Sequence, residues 1–270
     1  MINKVEKVVS KFYNTIGWET NNGVTEDAKL WEDLRDAAKD YISKCRLRVM
    51  RHIPPEGDNI LDMASGPIQY PEYLKYSENF KKRYCVDLSS SALAEAEAKI
   101  GNHGVFLEGS FFDINLEENL FDCSVSLHTL YHIDKDMQEK AVRKLLYVTK
   151  PGKPIIIVYS NPNTLISLPA RLIRRGRKFL SGKSLKGDLD NASVLYFHQY
   201  PNDWWRRFDA VATVKMYPWR SFAANFTKLF IPNNTLGKKL LDVIFNLEEM
   251  FPDFFVRYFQ YQMIVLIKKD

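Results

Sequence analysis

Cysteine is scarce. The 270-residue chain has three, Cys45, Cys85 and Cys123, odd in number and far apart. They make no CxxC pair and no disulfide framework, which excludes a zinc ribbon and a stapled secreted scaffold and suits free, buried thiols in a reducing compartment. Glycine and proline are also few, at 12 each, which excludes collagen-like and low-complexity chains. No run approaches the roughly 18 apolar residues of a membrane span. The opening MINKVEKVVSKFYNTIGW lacks the apolar centre of a signal peptide. These absences predict a soluble, cytoplasmic protein. Neither sign of charge dominates: a net +5 does not by itself call for nucleic acid. There is no Walker A lysine pattern and no tight His/Asp/Glu cluster, so no metal is expected.

What the chain does have is ordinary globular composition, 46% hydrophobic, with aromatics at 13% that rise in the last third. No solenoid-period repeat is visible. Residues 1–53 read as helical. In WEDLRDAAKDYISKCRLRVMRHI, apolar residues recur at three- and four-residue steps, and Pro54-Pro55 stops the run. Residues 57–160 alternate short strands (NILDMA, YCVDL, HGVFLEG, FDCSVSLHTL, KPIIIVYS) with helical stretches such as SSSALAEAEAKI and KDMQEKAVRKLLYVT. That rhythm predicts a parallel α/β sheet with crossover helices. Residues 161–270 break it. VATVKMYP and YQMIVLI read as two late strands, with a basic segment at RLIRRGRKFLSGKSLKG and an aromatic, helical segment over 219–259. All three stretches read as one domain.

Asp62 and Asp87 are the informative pair. Ligands of doubly wound sheets sit beyond the carboxyl ends of the strands. Asp62 is near the end of the first strand, before the small-residue turn Ala64-Ser65-Gly66, where backbone can approach a ligand closely. Asp87 ends the second strand, 25 residues on, close to the ~20-residue offset at which an acid meets a ribose diol. A dinucleotide would need GxGxxG amides for its pyrophosphate; this turn has one glycine, and Pro67 removes a donor.

ILDMASGPIQY, YCVDLSSSALAEA, EGSFFDINLEENLFDCSVSLHTLYHI and VTKPGKPIIIVY stand in order over residues 57–160. Together they resemble a class I S-adenosylmethionine-dependent methyltransferase of the type 11-like domain. The resemblance implies a Rossmann-like, doubly wound, mostly parallel seven-stranded sheet with helices on both faces. It implies an N-terminal helical lid over 1–56, a cofactor-binding core over 57–160, and insertions after the fifth and sixth strands within 161–270. Asp62, Ala64, Gly66 and Ile68 match the acid and the three glycines of the family's first motif. The resemblance then implies S-adenosyl-L-methionine as cofactor. Ala64, Ser65 and Gly66 would pass under its methionine part, Asp87 would take the ribose hydroxyls, and Leu88 would lie beside the adenine. Ser110 and Phe111 stand where the family often has Asp, at the end of the third strand. His128 would lie near the sulfonium, and Tyr13 and Trp18 would cover the cofactor.

Methyl transfer to nitrogen or oxygen also needs a proton acceptor, and histidine suits the role. The candidates are His132 and His198, with Tyr159 orienting the acceptor. Both insertions leave from strands expected to run parallel, so both would cap the site with Tyr196, His198, Tyr200, Trp204, Trp205, Tyr217, Trp219 and Arg220. The expected acceptor is a small molecule, such as a sugar, glycan precursor or natural-product intermediate, with O-methylation ahead of N-methylation. Two rival readings are an RNA or nucleotide methyltransferase and a degenerate cofactor-binding module. Arg171, Arg174, Arg175, Arg177 and Lys178 form the densest basic cluster, interleaved with apolar residues as in an interfacial helix; a membrane contact there is an alternative to a solvated face.

Overall fold

A strand buried on both faces must be apolar at every position, and Pro154–Ser160 (β5) is: all seven residues of PIIIVYS are buried. Around it a computed structural model, which describes residues 4–18, 20–21, 24–165 and 195–269, builds one seven-stranded sheet. The other strands are β1 (Gly57–Met63), β2 (Phe80–Asp87), β3 (Gly104–Glu108), β4 (Cys123–Leu127), β6 (Ala212–Arg220) and β7 (Tyr261–Lys268). The order is β3-β2-β1-β4-β5-β7-β6, and β1 to β5 are mutually parallel. The order reverses between β1 and β4, which makes the switch-point crevice at their carboxyl ends.

β7 pairs antiparallel with both β5 and β6. β6 therefore points the same way as β5, and its last residue, Arg220, reaches the same edge as the ends of β1, β2 and β4. The sheet is thus mixed and doubly wound, as expected.

Side-chain alternation sorts the core onto two faces. Leu61, Ile155, Ile157 and Tyr159 pack with α5 (Lys135–Val148) and with the 3₁₀ segment Asn202–Phe208. Ile60, Ile156 and Val158 pack on the other face with Val49, Tyr76 and Trp219. Two of the helices that follow strands are capped at their N-termini by side chains. Ser89 accepts from the Ala92 amide at the start of α4 (Ser90–Ile100), and Asp134 accepts from Asp136 at the start of α5.

The N-terminal stretch departs from the expected continuous helix. It forms α1 (Lys4–Phe12), a π-helical turn at Tyr13–Gly17, α2 (Glu26–Trp31) and α3 (Asp36–Leu47). The run breaks at Glu32–Arg35 because two acids there are buried and satisfied from elsewhere. Asp33 takes the Arg35 side chain and the Thr227 hydroxyl, while Glu32 takes Arg220. The segment 219–259 is helical as expected, as α6 (Ala224–Phe230), α7 (Thr235–Met250) and α8 (Pro252–Tyr258). The basic cluster at 171–178 lies outside the described residues. Among the described residues no helix is long and apolar enough to cross a membrane.

Candidate active site

β1 ends in a turn that needs left-handed backbone three times. Ala64, Gly66 and Ile68 have φ of 58°, 54° and 49°. These are the three positions that match the family's glycines. A β-branched residue is strained there; Ile68 is kept in place by burial against Cys85, Leu93 and Ala96. Hydrogen bonds tie the turn to β2. The Ala64 amide donates to the Val86 carbonyl at 2.7 Å, and the Gly66 amide donates to Asp87 Oδ2 at 2.8 Å. The Ser89 amide donates to Asp87 Oδ1 at 2.9 Å. Asp87 thus bridges the turn and the start of α4. Burial pushes its carboxyl up to about 6, against the lowering effect of those amides.

A cavity of about 410 Å³ opens above this turn at the carboxyl edge of the sheet. Of the residues singled out from the sequence, Asp62, Ala64, Ser65, Gly66, Asp87 and Leu88 line its sheet side. Phe111, Tyr13, Trp18, His128 and His132 complete the set that the fold brings together. Asp62 faces a second demand: it forms a buried ion pair with Arg83, whose Nη1 also donates to the Tyr73 carbonyl at 2.6 Å. Its carboxylate is occupied by a structural partner.

The N-terminal elements form the wall facing the turn. Tyr13 and Trp18 stack with ring centroids 4.9 Å apart. Trp18 lies over Gly66, where a Cβ would come within 2.9 Å of the indole. The Tyr13 hydroxyl donates to Asp27 Oδ1 at 3.4 Å. Burial raises the Tyr13 phenol well above its usual range and, aided by the charge of Glu32, pushes Asp27 up to about 6.

Two histidines at the end of β4 have different surroundings. His128, at a φ of 58°, shares a hydrogen bond of 3.0 Å between Nδ1 and the Tyr131 hydroxyl, and its ring meets Trp219 edge-on at 4.4 Å. Its Nε2 is buried with no partner among the described residues. Burial and the Arg220 charge hold it well below the usual imidazole range, so it is neutral. His132 Nδ1 lies 2.8 Å from the Tyr196 carbonyl. A carbonyl only accepts, so Nδ1 carries the proton and Nε2 keeps its lone pair. Burial lowers this imidazole to about 4, leaving it neutral and able to accept at neutral pH.

Three expected site residues do not line the cavity. Tyr159 is fully buried in the core, its hydroxyl donating to Gln138 Oε1 at 2.7 Å and accepting from the Tyr200 amide. It has no route to an acceptor, which corrects the expectation that it orients one. His198 packs against Tyr200, and its amide donates to the Tyr131 carbonyl, so it braces the segment after β4 and takes no part in the site. Ser110 donates its hydroxyl to Glu6 of α1 and so ties that helix to the end of β3. The expected aromatic cap is also corrected: Trp204, Trp205 and Tyr200 pack on the core cluster, with Tyr200 stacked on Trp204, and do not line the cavity.

Other groups were not anticipated. Glu32 reaches the cavity from the break after α2, Asp27 from the first turn of α2, and Tyr261 from the last strand. Arg220 donates to Glu32 Oε2 at 2.6 Å and lies over the Trp219 and Tyr261 rings at 5.0 and 5.2 Å. Arg220 was visible as a charge in an aromatic stretch. Its partner, 188 residues away, had no local signal. Among the described residues no group of three or more His, Cys, Asp or Glu could hold a metal ion.

Comparison with known proteins bears on what this cavity serves. A methyltransferase domain model matches residues 61–157, which span β1 to β5. A search among curated proteins finds no match. Among solved structures, a magnesium protoporphyrin IX methyltransferase from Synechocystis PCC 6803, with S-adenosylhomocysteine bound, superposes with a TM-score of 0.57 at 11% identity, covering 98% of this chain and 100% of that one. A geranyl diphosphate methyltransferase in complex with GPP and sinefungin gives 0.56 at 12% identity, covering 98% and 99%. A SAM-dependent methyltransferase from Archaeoglobus fulgidus gives 0.54 at 15%, covering 85% and 94%. At such identities the likeness is one of fold, and the matched domain over β1 to β5 adds the activity. Residues 61–157 thus match a methyltransferase domain, carried on a fold shared with solved S-adenosylmethionine-dependent methyltransferases.

Proposed function

We propose that this enzyme methylates an oxygen of a small, largely apolar or flat molecule, with His132 as the proton acceptor. The observation that carries the reading is that His132, neutral and with its lone pair on Nε2, lines the same cavity as the Asp87 turn. The residues present fit the cofactor. Asp87 offers a carboxylate to ribose hydroxyls, Leu88 and Phe111 offer apolar contact to a base, and the open backbone from Ala64 to Gly66 accommodates the amino-acid part. Tyr13 and Trp18 present electron-rich rings, and such rings attract a cation by about 0.5–2 kcal/mol. His128, held neutral, adds no repelling charge. S-adenosylmethionine, when bound, supplies an electrophilic methyl group. The chain itself aligns the acceptor, excludes water and takes the proton.

Trp31, Leu30 and Phe197 line the acceptor side of the cavity. Arg220 and Glu32 neutralise each other in the same cavity. That character supports the natural-product end of the expected range over a free sugar. The fold neighbours acting on geranyl diphosphate and magnesium protoporphyrin IX support a small organic acceptor in the same way. In this reading residues 1–56 act as the lid.

The test is methyl transfer from labelled cofactor to a panel of hydroxylated apolar small molecules, with His132→Ala beside the wild type. Loss of a general base lowers kcat by about 10²–10⁴, while cofactor binding stays intact. Because His132 stands at about 4, its contribution stays level from pH 8 down to about 5 and falls below that. Methylation at nitrogen, or an unchanged rate in the variant, overturns the proposal.

A further inference from the structure

The C-terminal helices leave apolar side chains in solvent. On α7, Leu236, Leu240, Val243, Leu247 and Met250 are all exposed and recur at steps of four and three, one stripe along the helix. The buried face of α7 is a different one: Leu241 packs with Tyr41, Ile42 and Cys45 of α3. The apolar surface continues onto both neighbouring helices. Leu229 and Phe230 at the end of α6 are 75% and 62% exposed, and Phe254 of α8 is 47% exposed. A ladder of rings joins α6 to α8, from Phe230 through Phe226 and Phe222 to Phe259 and Phe254, each centroid within 6 Å of the next: 4.6, 4.5, 5.4 and 5.9 Å. Contiguous apolar surface of this extent marks an interaction site.

The surface also runs into the cavity. Lys228 of α6 donates to the Lys29 carbonyl, and Arg35 holds the Thr227 and Ile231 carbonyls, so α6 lies against α2 and the break after it. There Leu30 and Trp31 are 40% and 45% exposed and also line the cavity.

The charges around the face are sorted by sign. The acids of α7 are engaged: Glu248 and Glu249 by Arg48, and Asp242 by Lys44. Among the described residues Lys228, Lys239 and Arg257 have no acid partner, and Asp253 is the lone acid left beside them.

We infer that α6, α7 and α8 dock this enzyme on an anionic lipid bilayer surface, with the mouth of the cavity at the lipid boundary. Apolar side chains enter the headgroup region while unpaired cations meet lipid phosphates. A protein seated on the same face would cover Leu30 and Trp31 and close the mouth, whereas a fluid lipid layer leaves it open and delivers apolar molecules to it. Docking stands on the surface alone; delivery of the acceptor rests on the proposed function.

The experiment is sedimentation of the full chain with vesicles of phosphatidylglycerol and phosphatidylcholine, and with phosphatidylcholine vesicles alone, alongside light scattering of the free protein. No methyl transfer is read, so the result is separate from the fate of the acceptor proposal. The expected result is a monomer that binds the anionic vesicles. Phe230→Ser with Leu236→Ser and Phe254→Ser lowers the partition coefficient by about tenfold or more, since each buried apolar group adds to interfacial affinity. Lys228→Glu with Lys239→Glu and Arg257→Glu removes the preference for anionic over neutral vesicles. Cofactor binding by both variants, measured by calorimetry, reports that they are folded. A dimer that the serine variant dissociates would assign the face to a second copy and overturn the inference. So would a monomer that binds neither vesicle, whose face would then be covered by the chain's own residues or left bare.

Discussion

Asp87 holds a proton more tightly in the folded protein than in the unfolded one, yet its proposed ligand needs the proton gone. Its pKa stands at about 6 instead of 3.8 because burial outweighs the amide donors of Gly66, Ser89 and Leu88. Between those values the folded state binds more protons than the unfolded state, so this group stabilises the fold at low pH and that contribution is lost as pH rises through 6. Asp27, also at about 6, works in the same direction. Ribose hydroxyls donate to a carboxylate, so cofactor affinity has the opposite slope. We expect affinity, measured by calorimetry, to be level above pH 7 and to fall about tenfold per unit below 6. Asp87→Asn should bind weakly with no such slope; a slope that persists in the variant would place the titrating group elsewhere. Asp87 was legible because a strand end and an offset from Asp62 are local patterns. Tyr159 was misplaced because a strand's last turn of side chains alternates between cavity and core, and one residue of phase decides which.

At the level of elements, the turn after β1 decides how close a ligand can come. Gly66→Ala puts a Cβ within 2.9 Å of the Trp18 ring at a φ of 54°. We expect that substitution to displace Trp18, visible as a change in tryptophan fluorescence, and to weaken cofactor binding at least tenfold. Ala64→Gly, at a φ of 58°, should do the reverse for the fold and stabilise it by about 1 kcal/mol in denaturant titration, because a left-handed alanine is strained. A loss of stability in Ala64→Gly would show that the turn is not held in this conformation. The strands and crossover helices were readable because period-two and period-3.6 patterns are local. The break at Glu32–Arg35 was not: the amphipathic run crosses it without a proline or glycine, and the residues that unwind it, Thr227 and Arg220, come from the other end of the chain.

For the whole molecule, the N-terminal and C-terminal helices are joined by one buried charge network. Arg48 Nη1 donates to Glu248 Oε2 at 2.7 Å and to the Trp219 carbonyl at 2.8 Å, and the Tyr41 hydroxyl donates to Glu248 Oε1 at 2.7 Å. Removing one member of a buried pair leaves the other uncompensated and costs about 3–5 kcal/mol. Glu248→Ala should lower stability by that amount, and Glu248→Ala with Arg48→Met should recover part of it. A loss in the double variant equal to the sum of the losses in Glu248→Ala and Arg48→Met would mean that the pair does not couple α3 to α7.

The sequence alone determined the order of strands and crossover helices, the acid at the end of β2, and the family that four motifs in register resemble. All of these rest on short-range periodicity and spacing. Tertiary structure decided the rest. It paired Arg220 with Glu32 at the site, broke the helical run at Glu32–Arg35, assigned His132 its tautomer and left α7 with an unpartnered face. Each of these depends on contacts between residues far apart in the chain, whose energies no local pattern carries.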